Sequence, residues 1–219
     1  MQRFPIAAIL AVLLGCASSG AAPSAAAPVA TAPTASSSAS SPVTSPAAAK
    51  TRIAELRRAF DCETAAEVDV CTAKDGVVGT LVRKRLEPVV LSTGTINLRS
   101  VYRDRDWIYH DHVVVRIADR ELRTVAQRAD APTVSRRVAR RSERDSRGRA
   151  TDGYISESVT YRGANDGGIL EAIAKAGAAP VHVRFTGGPR QFEMIMSDGE
   201  KRLFASAWEL ATLYRQQSR

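Results

Sequence analysis

The sequence lacks the short motifs that mark the commonest enzyme classes. It has no G-x-S-x-G, H-E-x-x-H or S-x-x-K pattern, which excludes the usual signatures of serine hydrolases, zinc proteases and penicillin-binding enzymes. The glycine-rich stretch 163–168 matches neither a P-loop nor a dinucleotide-binding turn, and Asp166 would repel phosphate, so it is predicted to be a turn and helix cap. Four acidic residues in or beside predicted strands could act as general acid and base, but their spacing selects no pair: Asp104, Asp106, Asp111 and Glu157. The sequence therefore assigns no catalytic residue.

Cysteine is scarce, with three residues in the chain and no C-x-x-C pair. Cys62 and Cys71 lie nine positions apart, and in an exported protein this proximity predicts a disulfide that closes a small loop. The alternative is a thiolate metal site or a reactive cysteine. That alternative is disfavoured because no histidine lies nearby in the sequence.

Histidine is equally scarce, and two of the three histidines lie two positions apart on a predicted strand over 107–117. Alternate strand residues point the same way, so His110 and His112 could bind one divalent metal, with His182 on a later strand as a third ligand. The alternative places both strand histidines on the solvent-facing side. We favour that alternative and predict neither a metal nor a cofactor.

Long hydrophobic runs are missing except at residues 4–14, a run of signal-peptide length that is too short to span a bilayer. It ends in Leu13-Leu14-Gly15-Cys16, which resembles the lipobox of bacterial lipoproteins. The resemblance implies that residues 1–15 are a cleaved signal peptide, that the Cys16 thiol carries diacylglycerol, and that a fatty acid such as palmitate acylates the new amine. Because no acidic residue follows Cys16, it also implies the outer membrane, facing the periplasm. The alternative is an ordinary secretory signal that is cleaved further on.

Residues 17–50 contain mainly Ala, Ser, Pro and Thr, with no charge before Lys50. Such a segment cannot bury enough surface to offset its ordering entropy, so 16–50 is predicted to be an acylated cysteine followed by a disordered tether. Residues 51–219 are long enough for one globular domain with its own core.

Hydrophobic periodicity in 51–219 predicts an α+β fold, mainly an antiparallel β-sheet or sandwich with a short helix and a C-terminal amphipathic helix. A first helix is predicted from Thr51 as N-cap through Phe60. Turn residues 118–121 predict a hairpin in the middle of the sheet. The remaining predicted strands are 78–82, 89–91, 96–98, 100–102, 153–161, 180–186 and 191–196.

Two further helices are predicted from their terminal residues. Asp166 can cap a helix over 167–176, and Gly177 stands where a left-handed residue ends a helix. Ser197 and Glu200 form a capping box before the strongly periodic C-terminal helix.

The order of these elements resembles a family of uncharacterised bacterial envelope proteins that carry one small β-rich domain with a C-terminal helix. The resemblance covers roughly 77–215 and rests on hydrophobic and turn positions. These positions are Val101-Tyr102, Asp106-Trp107-Ile108-Tyr109, Asp119-Arg120-Glu121, Ser156-Glu157-Ser158, and Val181 through Gly187. It implies a single envelope domain and no particular activity.

The basic balance, a net charge of +8, comes largely from an arginine-rich run at 136–149. Guanidinium groups suit phosphate and carboxylate partners, so this run is a candidate for weak anion binding. Its candidate residues are Arg136, Arg137, Arg140 and Arg141. The expected partners are an anionic envelope polymer, a lipid or an acidic protein; the absence of aromatic residues from the run disfavours nucleic acid. The alternative is a solvated loop without a ligand.

Together these features predict a lipid-anchored exported protein, with the membrane as a partner through Cys16 and a non-enzymatic head that binds an envelope component or has a structural role. The alternative is an envelope hydrolase or a metal-dependent enzyme that uses the strand with His110 and His112.

Overall fold

The computed structural model describes residues 45–74, 83–139 and 153–218. Several predicted features lie outside the described residues: the signal peptide, Cys16, most of the tether, the strand at 78–82, and Arg140 and Arg141. The described residues all belong to one compact unit, Val43–Arg219.

The described chain forms ten strands and three α-helices. The helices are α1 (Pro46–Arg57), α2 (Ile169–Ala174) and α3 (Asp198–Gln217), with a 3₁₀ turn at Gly163–Asp166. The strands are β1 (Phe60–Ala65), β2 (Val68–Ala73), β3 (Arg83–Leu91), β4 (Ile96–Asp104), β5 (His112–Ile117), β6 (Arg120–Arg123), β7 (Val134–Ala139), β8 (Tyr154–Tyr161), β9 (Val181–Thr186) and β10 (Phe192–Ile195). The predicted α+β class, mainly antiparallel with a C-terminal helix, is confirmed.

The strands form two antiparallel sheets. One has six strands in the order β1-β2-β3-β4-β8-β7, and the other has four in the order β10-β9-β5-β6. Alternate apolar residues of β4, β8, β5 and β9 meet in one core, because side chains point to opposite faces at successive strand positions. Leu98 and Val159 of the larger sheet and Val115 and Phe185 of the smaller sheet are all fully buried in it.

Helix α3 contributes to two hydrophobic clusters. Phe204 lies in the core that both sheets share, whereas Leu210 and Tyr214 pack with α1 and with Cys71. The helix begins with the predicted capping box, in which Ser197 and Glu200 bond to each other's backbone N–H groups. None of the described helices is both long and apolar enough to cross a membrane.

Helix α1 begins earlier than predicted, so Thr51 as N-cap is wrong. Its N-cap is Ser45, whose side chain accepts a hydrogen bond from the backbone N–H of Ala48, and Pro46 follows at the first helical position. The last residues of the predicted tether are therefore helical. Phe60 does not belong to the helix either, because it opens β1.

The predicted disulfide is present. Cys62 and Cys71 stand directly opposite each other in the β1–β2 pair, with Cα atoms 4.0 Å apart and a bond between their sulfurs. The segment between them is a hairpin of two strands rather than an irregular loop.

The hairpin at 118–121 is confirmed, but its place in the sheet is not as predicted. Strands β5 and β6 flank the two-residue turn Ala118-Asp119, and Ala118 takes a left-handed φ of 50°. Because β6 forms the edge of the four-stranded sheet, the hairpin is at the side of the sheet, not in its middle. The predicted strand over 107–117 is likewise shorter, since pairing starts only at His112.

Candidate functional site

The first candidate site is the pair His110 and His112, and the two side chains lie in different environments. Tyr109 has a left-handed φ of 54°, so the chain at 107–111 does not alternate like a strand. His110 is fully buried, whereas His112 is half-buried beside Asp111. His182 lies opposite Arg116, four residue pairs along the ladder from His112, about 13 Å at strand spacing. In the described residues no group of three or more His, Cys, Asp or Glu side chains is placed to hold a metal ion.

His110 instead belongs to a buried polar cluster that the sequence did not predict. Its Nε2 atom lies 2.8 Å from the Ser100 hydroxyl, and its Nδ1 atom lies 3.5 Å from Glu157 Oε2. Its ring stacks on Phe185 with centroids 5.2 Å apart. The order of serine, imidazole and carboxylate is that of a hydrolase triad. Ser100 and His110 have no solvent-exposed surface, however, and Glu157 is 1% exposed, so a substrate cannot reach the hydroxyl.

Glu157 holds the 107–111 segment in place. Its Oε1 atom accepts the backbone N–H groups of Ile108 and Tyr109 at 2.7 and 3.0 Å. Burial raises the pKa of this carboxyl, but the nearby His110 ring and the hydrogen bonds from the backbone N–H groups of Tyr109 and Ile108 outweigh it, and the pKa lies below its ordinary value. Glu157 is therefore an ionised structural acceptor.

Glycine at position 188 lets the same segment approach a neighbouring loop. A Cβ atom on Gly188 would lie 1.9 Å from the carbonyl oxygen of Ile108, which no real contact permits. The irregular 107–111 segment is thus fixed by hydrogen bonds from one side and by close backbone packing from another.

The other acids named from the sequence are also paired. Asp104 bonds to Lys84, which lowers the pKa of Asp104 below its ordinary value. Asp106 pairs with Arg190 at 3.0 Å, and Asp111 pairs with His112. The four acids do not converge as a catalytic pair.

The second candidate site is a basic surface on the six-stranded sheet, which we call the arginine face. It consists of outward-pointing residues on β3, β4, β8 and β7, on the side opposite the core residues Leu86, Leu98 and Val159. Its members are Arg85, Arg99, Arg103, Arg137, Ser135, Ser156, Ser158 and Thr160.

Strand register makes this surface a grid of guanidinium and hydroxyl groups. Arg103 stands opposite Ser156, which stands opposite Arg137. Four residue pairs along the ladder, Arg99 stands opposite Thr160, and Val101 stands opposite Ser158 between the two arginines. Cross-strand neighbours lie about 5 Å apart, so Ser156 is within reach of Arg103 and Arg137, and Thr160 is within reach of Arg99.

The carboxylate of Glu87 lies among the cations of the arginine face. Glu87 is 1% exposed and pairs with both Arg85 and Arg99. Burial lowers the pKa of the Arg85 guanidinium, and the nearby charges of Arg99 and Arg103 lower it further, against the attraction of Glu87. The cations therefore repel one another, and an added anion would relieve that repulsion.

Arg103 has donor capacity that the described chain does not use. Its guanidinium lies over the Tyr154 ring at 4.6 Å, and its enclosed Nε atom has no hydrogen-bond acceptor. The side chains of Arg99 and Arg85 are 32% and 19% exposed, so the face is partly open to solvent. Its arrangement suits tetrahedral oxyanions, since arginine forks and serine hydroxyls both donate to phosphate oxygens.

The predicted arginine run contributes to both sites. Arg136 points towards the buried cluster, where its Nε atom lies 3.6 Å from Glu157 Oε2 and its Nη2 atom donates to the carbonyl oxygen of His110. The Arg136 guanidinium therefore stabilises the interior of the head. Arg137 belongs to the arginine face, whereas Arg140 and Arg141 lie outside the described residues.

The sequence does not single out Arg85, Arg99 and Arg103, because they are dispersed along the chain. A usable signal existed in β8, where Ser156, Ser158 and Thr160 alternate with buried residues, and in the i, i+4 spacing of Arg99 and Arg103 on β4. Only strand register places these two patterns side by side.

Comparison with protein-family models, with curated proteins and with solved structures finds no match for this chain.

Proposed function

We propose that this chain is an exported lipoprotein, anchored in the outer membrane through Cys16 and facing the periplasm, whose head is a non-enzymatic module that binds phosphate-bearing envelope anions. The lipobox-like Leu13–Cys16 motif supports the anchor. The arginine face supports the binding role and is the observation that carries it, because strand pairing places four arginines and several hydroxyl groups on one side of the sheet.

The buried cluster supports a non-enzymatic head. The order of Ser100, His110 and Glu157 favours the alternative of an acyl-transferring hydrolase, but catalysis needs a hydroxyl that a substrate can approach. All three side chains are buried in the core, and their contacts stabilise the 107–111 segment.

Binding to the arginine face is tested with the full chain carrying Cys16→Ser, so that lipid does not contribute. We expect it to bind phosphatidylglycerol vesicles more tightly than phosphatidylcholine vesicles. The double variant Arg99→Gln and Arg103→Gln is expected to weaken binding about tenfold or more, since hydrogen bonds to charged groups contribute about 1.5–3 kcal/mol each. Co-sedimentation measures the affinities, and lipopolysaccharide in place of vesicles tests the other phosphate source.

The matched control is Arg58→Gln with Arg128→Gln, which removes the same charge at two exposed positions away from this face. It is expected to change the affinity less than about twofold at moderate salt, where distant charges are screened. Equal weakening by both double variants would show that binding follows net charge alone. Circular dichroism checks that both variants remain folded.

The anchor makes a separate prediction. The mature protein from membranes should begin at Cys16, and its N-terminal peptide should carry the mass of diacylglycerol and a fatty acid. Cys16→Ala should abolish both the added mass and the membrane partitioning. Mass spectrometry of the peptide decides this; an unmodified Cys16, or cleavage further on, would contradict the anchor and leave the binding proposal standing.

A further inference from the structure

A groove of about 370 Å³ lies on the outer face of the four-stranded sheet, away from the arginine face. Two cross-strand rows supply its polar residues. In one row Glu121, Arg116 and His182 stand on β6, β5 and β9. In the next row Arg184 of β9 stands opposite Glu193 of β10. This volume is within the range that small-molecule sites occupy.

The basic side chains of the groove have unused donors. Arg116 and His182 make no hydrogen bond or ion pair with any residue in the described ranges. Arg184 has an enclosed Nε atom without an acceptor, and its Nη1 atom is 3.8 Å from Glu193, too far for a hydrogen bond. Arg116 and Arg184 are diagonal neighbours on adjacent strands, about 7–8 Å apart, so both guanidinium groups can reach one carboxylate.

The acids of the groove exclude a simple anion site. Glu193 is one strand away from Arg184, and Glu121 stands directly opposite Arg116 without pairing with it. An anion bound between the arginines would meet these carboxylates at close range unless it also carried a positive group. The groove therefore offers donors and acceptors at adjacent positions.

Apolar side chains complete the groove. Val114 lies on its floor and is 3% exposed, while Ile195 stands at its rim and is 64% exposed. A ligand that covers this isoleucine removes apolar surface from water, and this burial favours binding. The ligand that matches all three features has a carboxylate, a neighbouring ammonium group and an apolar body.

We propose that this groove binds a small zwitterion of the amino-acid type with an apolar side chain. Arg184 and Arg116 bind its carboxylate, Glu193 accepts its ammonium group, and Ile195 and Val114 contact its side chain. The site is independent of the anion-binding role proposed for the arginine face.

Isothermal titration calorimetry on the full chain with Cys16→Ser tests the groove. The probes are L-leucine, leucinamide, which lacks the carboxylate, and N-acetyl-leucine, which lacks the ammonium group. Leucine is expected to bind at least about tenfold more tightly than either analogue, because each analogue loses one charge-assisted hydrogen-bonded contact. Leucyl-leucine distinguishes the two sources of this chemistry: tighter binding than leucine indicates a peptide end, and weaker binding indicates a free amino acid.

Two variants assign the roles. Arg184→Gln should weaken leucine binding and reduce the preference for leucine over leucinamide, because Arg116 alone then binds the carboxylate, while Glu193→Gln should bind leucine and N-acetyl-leucine equally. Arg128→Gln, whose side chain is 85% exposed and lies outside the groove, should leave all affinities unchanged. The proposal is overturned if leucine gives no heat of binding, if leucinamide binds as tightly as leucine to the parent chain, or if Arg128→Gln weakens leucine as much as Arg184→Gln does.

Discussion

Replacing Glu157 with alanine is expected to lower the free energy of unfolding by about 3–5 kcal/mol, the cost of removing one partner from a buried ionic cluster. The carboxylate accepts the N–H groups of Ile108 and Tyr109 and faces His110 and Arg136. Without it, these donors stay buried and lose their acceptor. Denaturant unfolding followed by circular dichroism measures the change.

Two variants show which property of Glu157 matters. Glu157→Gln keeps the shape and one acceptor oxygen, so its loss should be smaller, about 1–3 kcal/mol. Glu63→Ala, at an exposed position on β1, should change the stability by less than about 0.5 kcal/mol. A loss below about 1 kcal/mol for Glu157→Ala would contradict the structural role of this cluster.

The contribution of Glu157 to the free energy of unfolding should decrease at low pH. Its pKa in the folded chain lies below its ordinary value, so the folded state holds the proton less readily than the unfolded chain does. The stabilisation is therefore present above the unfolded pKa, about 4.3, and is lost as the pH falls through the folded pKa. The stability difference between the parent chain and Glu157→Gln should shrink below about pH 4.

The local features of this fold follow from the sequence. The capping box at Ser197, the hairpin turn at Ala118-Asp119 and the Cys62–Cys71 bridge each depend on residues within about ten positions of one another. The same holds for the left-handed Gly177 after α2. Neighbouring residues determine such features, so a single sequence is sufficient to predict them.

The long-range features of the fold cannot be predicted from neighbouring residues in this way. The alternating residues around His110 predict a strand, but Tyr109 adopts a left-handed backbone that Glu157, 48 positions away, stabilises. The resulting strain, of order 1–3 kcal/mol, persists only because the surrounding contacts impose it. Nothing near His110 in the sequence indicates that partner.

Both binding surfaces are products of strand register. Arg103, Ser156 and Arg137 form one row although they are separated by up to 53 positions, and Arg116 approaches Arg184 only because β5 pairs with β9. Residue composition predicted an anionic partner. Pairing of the strands determines which arginines form each surface.

Replacing Phe204 with alanine should lower the free energy of unfolding by about 3–5 kcal/mol, as large-to-small changes in a packed core do. Phe204 is 1% exposed and is the buried residue of α3 in the core that both sheets share. The remaining buried apolar residues of α3, such as Leu210, pack in the second cluster with α1 and with Val90 of β3, so this ring is the fully buried apolar group that joins the helix to the core between the two sheets. The unfolding free energy from denaturant titration measures the loss. Arg202→Ala, an exposed change two positions earlier on the same helix, should stay within about 0.5 kcal/mol of the parent chain. Similar losses for the two variants would show that helix formation itself, rather than packing of this ring, limits the stability of the head.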